Sequence, residues 1–141
     1  MNSGWWLRIG LPAALGILAI LALVVSARLQ VPQPVTRLTC SPWPQPCRTT
    51  LTGQPVQIRF DAAPSALKPV LLHVTTAPAQ HVSATFSMQD MDMGQIRYRL
   101  LASDGQHWQA SVILPVCVSG RHDWLMTVDI DGRLLQIPFV A

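Results

Sequence analysis

Several motifs of catalysis and of nucleic-acid binding are missing from this sequence. It has no C-x-x-C pair, no H-E-x-x-H motif and no glycine-rich phosphate loop, so the residues that usually carry such chemistry are absent. It also lacks a basic stripe with interleaved aromatic side chains, which argues against a nucleic-acid partner. Glutamate is absent, and most of the aspartates lie beside turn residues. We therefore expect a protein that binds rather than an enzyme.

A long apolar run lies near the N-terminus. Residues 9–27, IGLPAALGILAILALVVSA, carry no charge, and these 19 residues match the about 20 that cross a bilayer as a helix. Trp5, Trp6 and Arg8 precede the run, which favours a cytoplasmic N-terminus. Residues 1–28 are therefore predicted to form a membrane anchor, with the remainder exported. The alternative is a cleaved signal peptide, because residues 25–27 resemble a cleavage site.

The exported part changes character at Pro55. Residues 29–54 are rich in proline, which favours an extended tether. Residues 55–141 contain seven runs in which apolar and polar side chains alternate, as in strands with one buried face. Asp-Gly pairs at 104–105 and 131–132 separate some of these runs and are typical of hairpin turns. The pattern predicts a seven-stranded antiparallel β-sandwich of immunoglobulin type.

Three cysteines in an exported chain leave one thiol unpaired. Cys40 and Cys47 bracket CSPWPQPC, and an oxidising compartment favours a disulfide between them. A bridge from either of them to Cys117 is the alternative. The spacing of Cys40 and Cys47 is wider than that of the usual redox pair, so a thiol-redox protein is the weaker interpretation.

The most unusual stretch is residues 86–94, FSMQDMDMG, which holds three of the five methionines. Methionine usually fills gaps in a core, but here it alternates with aspartate at a predicted strand end. Thioethers are neutral, soft ligands that select copper(I) over harder ions. Met91 and Met93 share one parity and are the leading candidates for copper(I) ligands, whereas Met88 continues the inward face of its strand. Packing of all three methionines under a loop is the alternative.

A second candidate segment is residues 114–124, LPVCVSGRHDW. It joins two predicted strands, and strand ends of a sandwich cluster at two poles. Cys117 and His122 are therefore candidates to complete a copper(I) site with the methionines, although each also suits a structural or surface role. His73, His81 and His107 have no neighbour at ligand spacing and are interpreted as structural or solvated.

Together, FSMQDMDMG, the YRL strand, GQHW and PVCVSGRHDW give the chain a family resemblance. With the predicted anchor and sandwich, they resemble the FixH/YtkA-like periplasmic proteins over residues of about 5–28 and 54–141. That resemblance implies a role in handling copper or in assembling a membrane-bound oxidase.

The sequence thus predicts a single-pass protein of the bacterial inner membrane whose periplasmic sandwich binds copper(I). Its expected partners are the inner membrane and a respiratory oxidase or a copper-transfer protein. The competing hypothesis is a metal-free accessory subunit that docks on a membrane complex through residues 88–93 and Trp124, because methionine and tryptophan are common at interfaces.

Overall fold

A computed structural model describes Ile17 and residues 34–88, 94–116 and 120–141 of the chain. The chain divides into two compact units, Met1–Pro32 and Gln33–Ala141. In the first unit only Ile17 is described, so the predicted anchor otherwise lies outside the described residues. In the part of the chain that the structure describes, no helix is long and apolar enough to span a membrane.

The described part of the second unit consists of ten β-strands in two five-stranded sheets. The first sheet has the order β1-β10-β9-β5-β6 and the second the order β2-β3-β4-β8-β7. The strands are β1 (Val35–Arg37), β2 (Cys47–Leu51), β3 (Gln54–Phe60), β4 (Val70–Thr75), β5 (Val82–Met88), β6 (Ile96–Arg99), β7 (Leu101–Ala102), β8 (His107–Val112), β9 (Asp123–Ile130) and β10 (Arg133–Val140).

The core lies between the two sheets and is built by the alternation seen in the sequence. Every second side chain of a strand points to the same face, so one face of each sheet is apolar. On β9 buried and half-buried residues alternate without interruption from Asp123 to Ile130. Phe139 of β10 contacts Phe60 of β3, with ring centroids 5.5 Å apart, and so joins the two sheets. The mainly β sandwich predicted from the sequence is therefore confirmed at this level.

The number of strands differs from the prediction. All seven alternating runs form strands, but β1, β2 and β7 were not predicted, and β1 pairs with β10 in parallel rather than antiparallel. Residues 34–54, assigned from the sequence to the tether, contribute β1 and β2 to the two sheets. Prolines at 34, 42, 44 and 46 lie just outside these two strands, where they remove no ladder hydrogen bond. The sandwich thus begins before Pro55.

The two ends of the sandwich are built differently. At the turn pole, β9 and β10 are joined by Asp131 and Gly132, whose φ angles of 48° and 83° suit a type I′ hairpin turn. The carboxylate of Asp131 accepts hydrogen bonds from the backbone N–H groups of Gln80 and His81 there. The opposite end, where β5 ends at Met88 and β9 begins at Asp123, is called the site pole.

Candidate functional site

The site pole brings together the strand ends that flank both candidate segments. Met88, the last residue of β5, pairs with Trp124 at the start of β9. The segment that holds Met91 and Met93 follows Met88, and the segment that holds Cys117 and His122 precedes Asp123. Because directly paired residues lie about 5 Å apart, the last strand residue before the methionine segment is a neighbour of the second residue of β9.

Met88 belongs to the core. It is 5% exposed, as is its partner Trp124, and it extends the inward row of Phe86 on the same strand. The inward position expected from its parity is thus what the structure shows. The burial of Met88 and Trp124 also removes two of the side chains that the metal-free hypothesis assigned to a contact surface.

His122 lies on the surface of the site pole with a defined ring orientation. Its Nδ1 lies 2.6 Å from the backbone oxygen of Ala141, and the Ala141 N–H donates to the His122 carbonyl at 3.1 Å. The Ala141 oxygen carries no hydrogen and only accepts, so Nδ1 must carry the hydrogen. In the neutral ring the lone pair is then on Nε2. Histidine ligands of metals are commonly oriented in this way by a hydrogen bond from the other ring nitrogen.

A charge pair lies beside His122. Arg121 Nε donates to Asp123 Oδ1 at 2.8 Å, and Arg121 Nη2 also donates to Asp123 Oδ2. The hydrogen bond from the Arg121 side chain is the main reason that the pKa of Asp123 lies below its usual value. Asp123 therefore stays ionised near neutral pH, and the pair adds no net charge next to His122.

Three of the predicted ligands, Met91, Met93 and Cys117, lie outside the described residues. Across the described ranges, no three His, Cys, Asp or Glu side chains are grouped so that they could hold a metal ion. Methionine is not among those residue types.

Cys40 and Cys47 form a disulfide, the pairing favoured from the sequence. Cys47 is fully buried and starts β2 opposite Ile58, near the end of β3. Within the bridged loop, the carbonyl of Pro42 accepts a hydrogen bond from the N–H of Phe60. The disulfide therefore attaches this loop to the site pole, because β3 ends there.

The other histidines lie away from this pole. His107 donates from Nδ1 to Asp104 Oδ2 at 2.6 Å, beside the turn at the opposite end. His73 lies half-buried on the outer face of the second sheet, where burial and, to a lesser extent, the Arg59 charge lower its pKa. His81 is exposed. These positions agree with the structural or solvated roles expected for all three.

The contact between Ala141 and His122 could not be predicted from the sequence. Ala141 orients His122 across a separation of 19 residues. The contact depends on the pairing of Val140 with Asp123, and local residue patterns do not encode long-range register.

No protein-family model matches this chain, and no curated protein or solved structure was found to match it. The likeness to FixH/YtkA-like proteins therefore stays a prediction drawn from the sequence.

Proposed function

We propose that the chain is a membrane-anchored periplasmic protein that binds copper(I) at the site pole and supplies it to a membrane-bound oxidase. The observation that carries this proposal is the pairing of Met88 with Trp124. Met88 is the last described residue before the methionine segment, and its partner Trp124 is only two positions from His122 in the chain. The immunoglobulin-type arrangement, the anchor over residues 1–28 and the bacterial inner-membrane location are parts of the same proposal.

The proposed ligands are thioethers and one imidazole. Met91 and Met93 supply neutral sulfur atoms, which bind copper(I) without losing a proton and do not form disulfides. His122 supplies Nε2, already freed by the hydrogen bond from Nδ1 to Ala141. Cys117 is a candidate for a further ligand. The burial of Met88 makes it a support for the segment more than a ligand.

The test is a titration of the purified full chain with copper(I) against a competing chelator under anaerobic conditions. We expect Met91→Leu/Met93→Leu to weaken binding at least tenfold, because leucine retains the volume but has no donor atom. His122→Gln should weaken it less, by removing one of the ligands. Met126→Leu is the matched control, since Met126 is fully buried on β9 and its sulfur cannot reach solvent.

Wild-type affinity in the double methionine variant would sink the copper(I) assignment. Unchanged affinity in His122→Gln alone would remove only the imidazole from the ligand set. A drop of equal size in Met126→Leu would mean that the variants act through the fold, and circular dichroism of each variant separates that case.

A second candidate function is a metal-free docking module. It is favoured by exposed apolar side chains at the site pole, among them Trp43 at 38% and Val140 at 74% exposure. Wild-type protein purified without oxygen distinguishes the two, since the copper hypothesis requires bound copper after purification from copper-supplied cells and the docking module does not.

A further inference from the structure

A cleft opens at the turn pole, beside the second sheet. One wall is the hairpin between β2 and β3, and the other is the segment that follows β4. Its volume of about 500 Å³ lies in the range of about 300–1,000 Å³ that small-molecule sites occupy. The cleft is at the opposite end of the sandwich from the proposed copper(I) site, so a role for it goes beyond the proposed function.

Both walls of the cleft are held by the backbone. The hairpin turns tightly at residues 52–53, both of which have a positive φ. In the other wall, the N–H of Thr76 donates to the carbonyl of Gln106 at 3.0 Å. Three residues later, the N–H of Ala79 donates to the carbonyl of Gly105, also at 3.0 Å. These two bonds fix the segment between them, so a ligand meets a cleft that is already formed.

The lining of the cleft is polar, with a small apolar part. Three glutamines, Gln54, Gln57 and Gln106, line it together with three threonines. A glutamine amide offers two donor hydrogens and an acceptor oxygen, which are the groups that bind a peptide bond. The apolar part consists of small side chains, namely those of Pro55, Val56, Ala77 and Pro78. A ligand with peptide-like amides and small apolar groups therefore fits this lining.

Arg48 is the only charged side chain among the described residues that line the cleft. It is exposed on β2 and pairs with Gln57 of β3, which in turn pairs with Thr75 of β4. The Cβ atoms of such paired residues lie about 5 Å apart, so one ligand can reach the guanidinium and the Gln57 amide together. Arg48 forms no ion pair with any residue that the structure describes. Its planar guanidinium is suited to binding a carboxylate through two parallel hydrogen bonds.

The charge of the lining also decides which carboxylates fit. The described residues of the lining include no acidic side chain that could pair with an ammonium group. A free amino acid carries an ammonium group next to its carboxylate, and placing that charge near Arg48 without a partner is unfavourable. In a peptide the same nitrogen is a neutral amide, which the glutamine side chains can bind. The cleft thus favours a carboxylate that follows a peptide bond.

We propose that the cleft binds the carboxyl-terminal end of a peptide chain. The carboxylate of the peptide pairs with Arg48, and its last amide groups form hydrogen bonds with the glutamine side chains. The small apolar residues of the lining leave room for a small side chain such as that of alanine. This binding requires neither copper nor the membrane anchor.

The test is a titration of the purified, copper-free full chain with the peptide N-acetyl-alanyl-alanine. The side-chain amide signals of ¹⁵N-labelled glutamine are followed by NMR. We expect saturable shifts at Gln54, Gln57 and Gln106, and none at Gln136, which lies on β10 in the first sheet. Arg48→Gln should weaken the binding at least fivefold, because the carboxylate loses its cationic partner.

Arg59→Gln is the matched control and should change the affinity less than twofold. Arg59 is also exposed on the outer face of the second sheet, but it does not line the cleft. The C-terminal amide of the same peptide, free alanine and acetate should each bind at least fivefold more weakly than the peptide acid. No saturable shift in the wild type, or equal weakening in the two arginine variants, would overturn the proposal. So would equal binding by the peptide amide, alanine or acetate, because the cleft would then not recognise a carboxylate that follows a peptide bond.

Discussion

At the scale of single residues, Asp104, in the turn before β8, has the most strongly shifted pKa among the residues that the structure describes. Its Oδ1 accepts hydrogen bonds from the backbone N–H groups of His107 at 2.8 Å and Gln106 at 2.9 Å. Its Oδ2 is bound by the His107 ring. The backbone bond from His107 contributes most, and together these donors hold the pKa of Asp104 far below its usual value. All of them favour the ionised carboxylate.

Replacing Asp104 by asparagine should therefore destabilise the fold in a pH-dependent way. The pKa is lower in the folded than in the unfolded state, so the contribution is complete above the unfolded value of about 3.9 and is lost as the pH falls toward the folded value. We expect Asp104→Asn to lower Tm at pH 7 and pH 5, with a smaller difference from wild type at pH 3 and below. Thermal unfolding followed by circular dichroism measures this, and a difference that does not change with pH would contradict the assignment.

At the scale of the strands, the hydroxyl of Tyr98 links the two sheets through hydrogen bonds to the backbone of Ile113. Tyr98 of β6 belongs to the first sheet, but its hydroxyl donates to the carbonyl of Ile113 at 2.9 Å and accepts from the N–H of Ile113 at 3.1 Å. Ile113 directly follows β8 of the second sheet, and β7 pairs only with Trp108 and Gln109 of that strand. Tyr98 thus satisfies backbone groups that β7 does not reach.

Tyr98→Phe removes both hydrogen bonds while keeping the ring that packs on Phe86. Each hydrogen bond contributes about 1 kcal/mol, so the free energy of unfolding should fall by about 1–2 kcal/mol. Amide exchange at Ile113 should accelerate more than exchange at core positions of β8. Ser41→Ala is the control, because it removes one exposed hydroxyl bond to Trp43 outside this link. Equal acceleration of Ile113 exchange in both variants would count against the role of Tyr98.

The strands also show which parts of the fold local pattern can predict. The seven predicted runs correspond to strands in which one face is more buried than the other, because that face is turned toward the core. All three residues of β1 are exposed, so its sequence carries no alternation, and β7 has only two residues. β2 was not predicted because the prolines near it in the sequence indicated an extended tether. Strands as exposed as β1 or as short as β7 thus leave no periodic signal.

At the scale of the whole molecule, the candidate site depends on packing that no local pattern contains. The methionine segment and the histidine segment were expected at a pole, but the pairing of Met88 with Trp124 joins positions 36 residues apart in the chain. The residue types of the candidate site could therefore be predicted from the sequence. Which residues lie next to one another in the site follows only from the folded sandwich.

The assembly itself depends on aromatic contacts between the sheets near the site pole. Phe139 of β10 is 5% exposed and lies 5.5 Å from Phe60 and 6.2 Å from Phe86, measured between ring centroids. These rings come from both sheets, because β3 belongs to the second sheet and β5 and β10 to the first. Loss of the Phe139 ring should thus weaken the whole sandwich rather than one strand.

Phe139→Ala should lower the free energy of unfolding by about 3–5 kcal/mol, since it removes a large buried side chain and leaves a cavity. The adjacent Val140→Ala is the control and should have almost no effect, because Val140 is 74% exposed. Urea unfolding can be followed by ¹⁹F NMR of fluorotryptophan at Trp124 in the first sheet and Trp108 in the second. Coincident transitions at both positions, shifted together in Phe139→Ala, are expected of a single cooperative unit. Unfolding of one tryptophan environment well before the other would show that the two sheets are stabilised separately.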